Sequence, residues 1–133
     1  MPGCRVCGST IYATTSPRGC LVPASRTVAG RLGHRNAATT LNVYSCRPGG
    51  GILGYAYLPS DLPEDDTRNG VVILYSTLPG GDAAPYNEGD TLVHEVGHYL
   101  GLYHTFDPAP NGCREPGDRV DDTPFEASPA YGC

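Results

Sequence analysis

Three imidazoles, one carboxylate and one glycine stand in fixed order within His94-Glu95-Val96-Gly97-His98-Tyr99-Leu100-Gly101-Leu102-Tyr103-His104, the pattern H-E-x-x-H-x-x-G-x-x-H. On a helix each residue turns by about 100°, so His94 and His98 fall within roughly 40° of one another and can reach one metal ion. A lone histidine is usually a surface group or a satisfied core group. The full pattern has no such explanation, and it points to a zinc site with one ion per chain.

A tetrahedral site needs ligands that converge from different directions, so the third cannot come from the next helical turn. Gly101 permits the change of direction: without a Cβ it takes a positive φ, ends the helix in a left-handed cap and sends His104 back toward the metal. Three neutral imidazoles leave the zinc its full double charge. A water in the fourth position then has its pKa lowered from 15.7 toward about 7. Glu95 is too close to its ligand neighbour to bind the same ion comfortably. It is placed to take a proton from the zinc-bound water and to hand that proton to a leaving amine. The chemistry expected is peptide-bond hydrolysis, with no Ser or Cys nucleophile.

The helix that carries these groups is expected to start near Asn87, with Asn87 capping the first free N–H groups and Asp90 in the positive end of the dipole. Leu92, Val93, Val96 and Leu100 form its apolar side. The two histidines and Glu95 then face a cleft.

Upstream, Thr40 to Cys46 alternates apolar and polar residues as a half-buried strand does. Gly49-Gly50-Gly51 lacks the Lys-Ser/Thr of a phosphate loop and reads as a connector. Ile52 to Leu58, stopped by Pro59, reads as a short strand in which Gly54 and Ala56 leave room for another backbone. An edge strand of this kind can pair with an extended peptide. From Pro59 to Asn69 a polar loop carries Asp61, Glu64, Asp65 and Asp66, expected to be solvated rather than a cation site. The apolar run Val71 to Tyr75 predicts a strand buried on both faces at the centre of the sheet. Residues 1–25 show no sustained period apart from a candidate strand at Ser9 to Thr14, and after His104 the chain is rich in Pro, Gly and Asp.

The chain has 133 residues, enough for one domain with a modest core. Its 18 glycines and 13 prolines favour turns and short elements. A net charge of −5 with no basic run argues against a nucleic-acid partner. No apolar stretch reaches the ~18 residues that would span a membrane, and the start does not read as a signal peptide. Six cysteines in so short a chain, at positions 4, 7, 20, 46, 113 and 133, fit an oxidising extracellular setting. Their pairing stays open. Cys4-x-x-Cys7 could be half of a zinc knuckle, but no second C-x-x-C exists, which leaves disulfides or unpaired thiols.

The long zinc motif resembles that of the metzincin metallopeptidases. Thr39 to Tyr44, Leu53 to Ala56, Gly70 to Leu74, Asn87-x-Gly89-Asp90-Thr91-Leu92, His104-Thr105-Phe106 and Gly117-Asp118-x-Val120-x-Asp122-Thr123-Pro124 narrow the likeness to the pappalysin family. That family is named for pregnancy-associated plasma protein-A and includes secreted fungal and bacterial metalloproteases. The resemblance implies an α+β, metzincin-like catalytic domain: a twisted mixed β-sheet over an active-site helix, with a C-terminal subdomain below the zinc. His94, His98 and His104 would be the ligands and Glu95 the base. Leu53, Gly54, Tyr55, Ala56 and Tyr57 would line the substrate cleft, and calcium could sit in the loop of Asp118, Asp121, Asp122 and Thr123. Residues 26–133 would form a partial catalytic domain, with 26–101 its upper subdomain and 102–133 the start of the lower one. The clan carries a Met in a turn beneath the zinc, and the only Met here is Met1, so the lower subdomain is expected to be incomplete. In the family Cys113 and Cys133 would bond to partners further along, a mutual bridge being the fallback.

The expectation is a secreted, monomeric zinc metalloendopeptidase acting on peptides or proteins. The alternative is a truncated zinc-binding module without turnover.

Overall fold

The computed structural model describes residues 35–108 and 116–129. The candidate strand at Ser9 to Thr14, the irregular segment 1–25 and every cysteine except Cys46 lie outside those residues. The chain divides into two compact units, with the boundary between Gly101 and Leu102.

In the unit that runs to Gly101, three strands form one mixed sheet: β1 (Val43–Cys46), β2 (Gly54–Ala56) and β3 (Val71–Leu74), in the order β1-β3-β2. The apolar run therefore is the central strand of the sheet among the described residues. β1 runs parallel to β3 with Val43 opposite Val71, and β2 runs antiparallel with Tyr55 opposite Val72. Side chains on a strand alternate between faces, and β3 uses both. Val71 and Ile73 pack with Leu92 and Val96 of the helix α1 (Asp90–Tyr99), while Val72 packs on the other face with Tyr44, Cys46 and Tyr55.

β1 differs from the half-buried strand expected of Thr40 to Cys46. It begins at Val43, and Tyr44, Ser45 and Cys46 are all buried. Alternation in residue type does not mark an exposed face here, because Ser45, the polar residue of the pattern, is fully buried as well. Cys46 is disulfide-bonded. The loop between β2 and β3 is polar, with Asp61, Glu64 and Asp65 exposed as expected, while Asp66 is mostly buried; Asp61 and Asp66 organise turns. Asp66 pairs with Arg68 at 2.7 Å, and Asp61 accepts the backbone N–H of Leu58 at 3.2 Å.

The start of α1 is three residues later than predicted. Gly89, with φ 98° and ψ −3°, takes the cap position and hands its carbonyl to the N–H of Leu92 at 3.0 Å. The Asn87 side chain caps nothing in the helix; its Nδ2 donates to the Gly81 carbonyl at 2.9 Å and ties the preceding loop together. Glycine wins because a left-handed entry is open to a residue without a Cβ. The apolar stripe also ends differently. Leu92 and Val96 are buried and Val93 is half-buried, but Leu100 is 70% exposed, and Tyr99 packs against the cluster instead.

Residues 102–108 and 116–129 contain turns but no strand or helix among the described residues. They are held by specific contacts. The Thr105 hydroxyl donates to the Glu126 carboxylate, and the Glu126 N–H donates back to the Thr105 carbonyl at 3.0 Å. The N–H of Gly117 reaches the Asp107 carbonyl at 3.0 Å, and the Arg119 guanidinium lies 4.0 Å from the centre of the Tyr103 ring.

Candidate metal centre

α1 sets the first part of the site. One turn apart, His94 and His98 bring their Nε2 atoms to 2.9 Å, with the rings nearly perpendicular at 88°. Two nitrogens that each bind zinc at about 2.05 Å in tetrahedral geometry lie about 3.3 Å apart. The pair is therefore within a few tenths of an ångström of what one ion requires. Both are imidazole nitrogens, a donor type suited to zinc.

Glu95, on the same helix, is not turned outward with them. It is buried, 7% exposed, and its side chain runs against β2. The backbone N–H of Ala56 donates to its carboxylate. Burial strips water from the charged form and raises its pKa to about 7, and the Ala56 hydrogen bond offsets only part of that shift. The shift belongs to the zinc-free chain, because a divalent charge nearby would favour the carboxylate.

The helix stops where the motif needs it to. Leu100 closes the last turn on the Val96 and Gly97 carbonyls at 3.0 and 3.1 Å, and Gly101 follows with φ 100°. In the second unit His104 is half-buried and stacked on Phe106, ring centres 4.6 Å apart and 9° from parallel. Asp107 holds it twice: the same carboxylate oxygen accepts the His104 backbone N–H at 3.1 Å and lies 3.3 Å from Nδ1. With Nδ1 taken by a carboxylate, Nε2 is the nitrogen left for a metal. Among the described residues, His94, His98 and His104 make up the three-histidine group suited to one ion.

The loop considered for calcium looks different. Asp118 is buried and accepts the Val120 N–H at 3.1 Å, Thr123 closes a turn onto the Val120 carbonyl at 3.1 Å, and Asp121 and Asp122 are exposed. Among the described residues these carboxylates form no three-ligand group. Asp118 shapes the local turn.

The residues expected to line the substrate cleft span β2 and its flanks. Gly54, Tyr55 and Ala56 are the strand itself, Leu53 accepts the Leu74 N–H at 2.6 Å, and Tyr57 meets Tyr55 edge-on at 6.4 Å. β2 is an edge of the sheet among the described residues. The space beside Gly54, expected to admit another backbone, is shared by the Val72 carbonyl of β3 and the Glu95 side chain. Asp107 and the Gly54–Glu95 contact had no signal in the sequence beyond a small residue in a strand and a carboxylate three residues after a ligand.

The chain is similar to known proteins in sequence and in fold. Residues 37–131 match the family described as pregnancy-associated plasma protein-A. An extracellular metalloprotease of Arthroderma otae is 48% identical over 98 residues, covering 71% of this chain and 35% of that protein. One from Podospora anserina is 50% identical over 96 residues, covering 70% and 32%. Among solved structures, mature mirolysin of Tannerella forsythia with a cleaved peptide superposes with a TM-score of 0.69 at 31% identity, covering 85% of this chain and 43% of that one. Mirolysin in complex with a small compound gives 0.70 at 30% identity, covering 86% and 44%. The chain thus spans about a third of the curated relatives it matches. The mixed sheet, its helix and the metzincin neighbours agree with the α+β, metzincin-like fold that the motifs implied. With the matched segment running from the turn before β1 through the zinc motif and beyond, this chain belongs to the pappalysin family of metzincin metallopeptidases.

Proposed function

We propose that this chain carries the zinc-binding core of a secreted metalloendopeptidase. His94, His98 and His104 hold one zinc ion, Gly101 turns the chain between the second ligand and the third, and Glu95 is the general base. The observation that carries the reading is Glu95: a buried carboxylate beside two converging imidazoles, held by the Ala56 N–H. Bound zinc would supply Lewis acidity to the scissile carbonyl and acidity to a water.

The rest of the reaction falls to the chain's own groups. Glu95 takes a proton from the attacking water as the C–O bond forms, and returns it to the amine nitrogen as the C–N bond breaks. The Ala56 N–H keeps one carboxylate oxygen engaged, which leaves the other free to move the proton. β2, with Leu53 and Tyr57 at its ends, offers the backbone of an edge strand to an extended peptide substrate. Asp107 orients the His104 ring. The lower subdomain is assigned to 102–133 and the upper one to 26–101. Secretion is inferred from the extracellular relatives and from the bonded, buried Cys46.

The deciding experiment is cleavage of an unbiased peptide mixture by the zinc-loaded full-length protein, beside Glu95→Ala and a chelator-treated control. Cleavage is expected, with a loss of about 10³-fold in Glu95→Ala and complete loss on chelation. Zinc bound without any cleavage would instead identify a zinc-binding module with no turnover.

A further inference from the structure

Glu95 could reach its position in two ways: the helix could aim it there, or β2 could make a place for it. The contacts decide for the strand. A Cβ added to Gly54 would stand 2.8 Å from Glu95 Cγ and 3.0 Å from Glu95 Oε1, closer than carbon atoms approach one another. The backbone at Gly54 is not in the left-handed region, so conformational freedom does not demand a glycine there. Space does. Two residues along the same strand face, Ala56 supplies the N–H that the carboxylate accepts, and its own small side chain packs in the cluster beneath the sheet.

We propose that Gly54 is a positioning residue for Glu95: the missing side chain is a slot in β2 that the Glu95 stem occupies, and the Ala56 N–H is the stop at its end. This deepens the proposed function and rests on Glu95 being its base. Without Glu95, a Cβ at position 54 would meet the Val72 carbonyl, a contact that a small shift of the strand relieves. With the Glu95 stem in the slot, a second element would have to give way as well. Any side chain at 54 must push Glu95 off the Ala56 N–H, and misplacing a base by about 1 Å can cost 10²-fold in rate.

Filling the slot with Gly54→Ala tests this in the zinc-loaded full-length protein. The expected result is a kcat lowered by about 100-fold, with KM changed by less than about threefold and zinc still bound at one per chain. A second readout needs no turnover. The same Cβ also approaches the Val72 carbonyl at 2.9 Å, so some strain comes from the strand alone, and melting of the zinc-free protein separates the two causes. Gly54→Ala should lower the melting temperature by roughly 5–15 °C, and by much less in the Glu95→Ala background, where the slot is empty.

Equal melting losses in both backgrounds would overturn the proposal, because the Val72 collision would then explain everything. A raised KM with unchanged kcat would overturn it too, in favour of a purely substrate-facing strand. If Gly54→Ala fails to fold, folding of the Gly54→Ala/Glu95→Ala double variant supports the slot and its failure to fold overturns it. The coupling in melting temperature is independent of Glu95's role in turnover. Full activity in Glu95→Ala with the coupling intact would therefore remove the base reading and leave the slot standing.

Discussion

The two units secure their parts of the candidate site by different means. Up to Gly101, position comes from burial: Val71, Ile73 and Leu92 are completely excluded from solvent, and Glu95 is wedged between α1 and β2. From Leu102 onward, among the described residues, position comes from single polar and ring contacts in turns, such as Asp107 with His104 and Thr105 with Glu126. A packed core spreads the cost of one substitution over many neighbours, whereas a turn held by one carboxylate concentrates it. The candidate base and two candidate ligands thus belong to the robust part of the molecule, and the third candidate ligand to the part where one side chain decides.

The contrast is tested most severely at the centre of the sheet. Ile73 is fully buried between β1, β2 and α1, and Ile73→Ala removes methylene groups from a cluster that includes Leu92 and Val96. Unfolding stability should fall by about 2–5 kcal/mol, read from denaturant midpoints. A loss below about 1 kcal/mol would mean that the sheet is not what holds α1.

Glu95 gives the next largest effect, and it is specific to the buried region. Its carboxyl titrates near 7 in the folded, zinc-free chain and near 4.5 when unfolded. Below 4.5 both states hold the proton and Glu95 costs nothing. As pH rises toward 7 the unfolded chain has already released its proton, so the folded state loses stability, by about 3 kcal/mol once both are ionised. Glu95→Gln, which keeps the shape without the charge, should therefore gain stability over the wild-type chain across that window and hold a constant advantage above it. Parallel pH profiles for the two zinc-free proteins would show that Glu95 is not desolvated. The comparison belongs in the zinc-free protein, because a nearby divalent charge favours the carboxylate.

The same contrast explains what could be read from the sequence. The spacing of His94, His98 and His104, the glycine at 101 and the run Val71 to Leu74 are periodic or positional signals, and helix and strand geometry turn them into structure directly. The start of α1 was misplaced because Asn87 and Gly89 are both good cap residues, and only the tertiary bond from Asn87 to Gly81 excludes the first. Leu100 fits the apolar stripe by spacing, yet the last turn leaves it in solvent and gives its place to Tyr99. The slot at Gly54 pairs residues 41 positions apart in the chain, and no local pattern records such a meeting. Thr105 with Glu126 is the same kind of long-range contact.

The loop unit offers the smallest of these effects and the sharpest local one. If His104 is a ligand, its ring must present Nε2, and the Asp107 carboxylate at Nδ1 both selects that tautomer and makes the ring a stronger donor. Asp107→Ala should weaken zinc binding by about 10- to 100-fold, measured by competition with a chromophoric chelator. Asp107→Asn keeps an oxygen for the His104 backbone N–H but loses the charge facing the ring, so it should recover only part of the affinity. Folding should hardly change in either variant, since Asp107 is half-buried in a turn and not in the core. If Asp107→Ala binds zinc as tightly as the wild-type protein while His104→Ala does not, the carboxylate merely closes the turn. Equal weakening by Asp107→Ala and Asp107→Asn would instead assign its whole effect to charge, with the backbone contact contributing nothing to the ligand's placement.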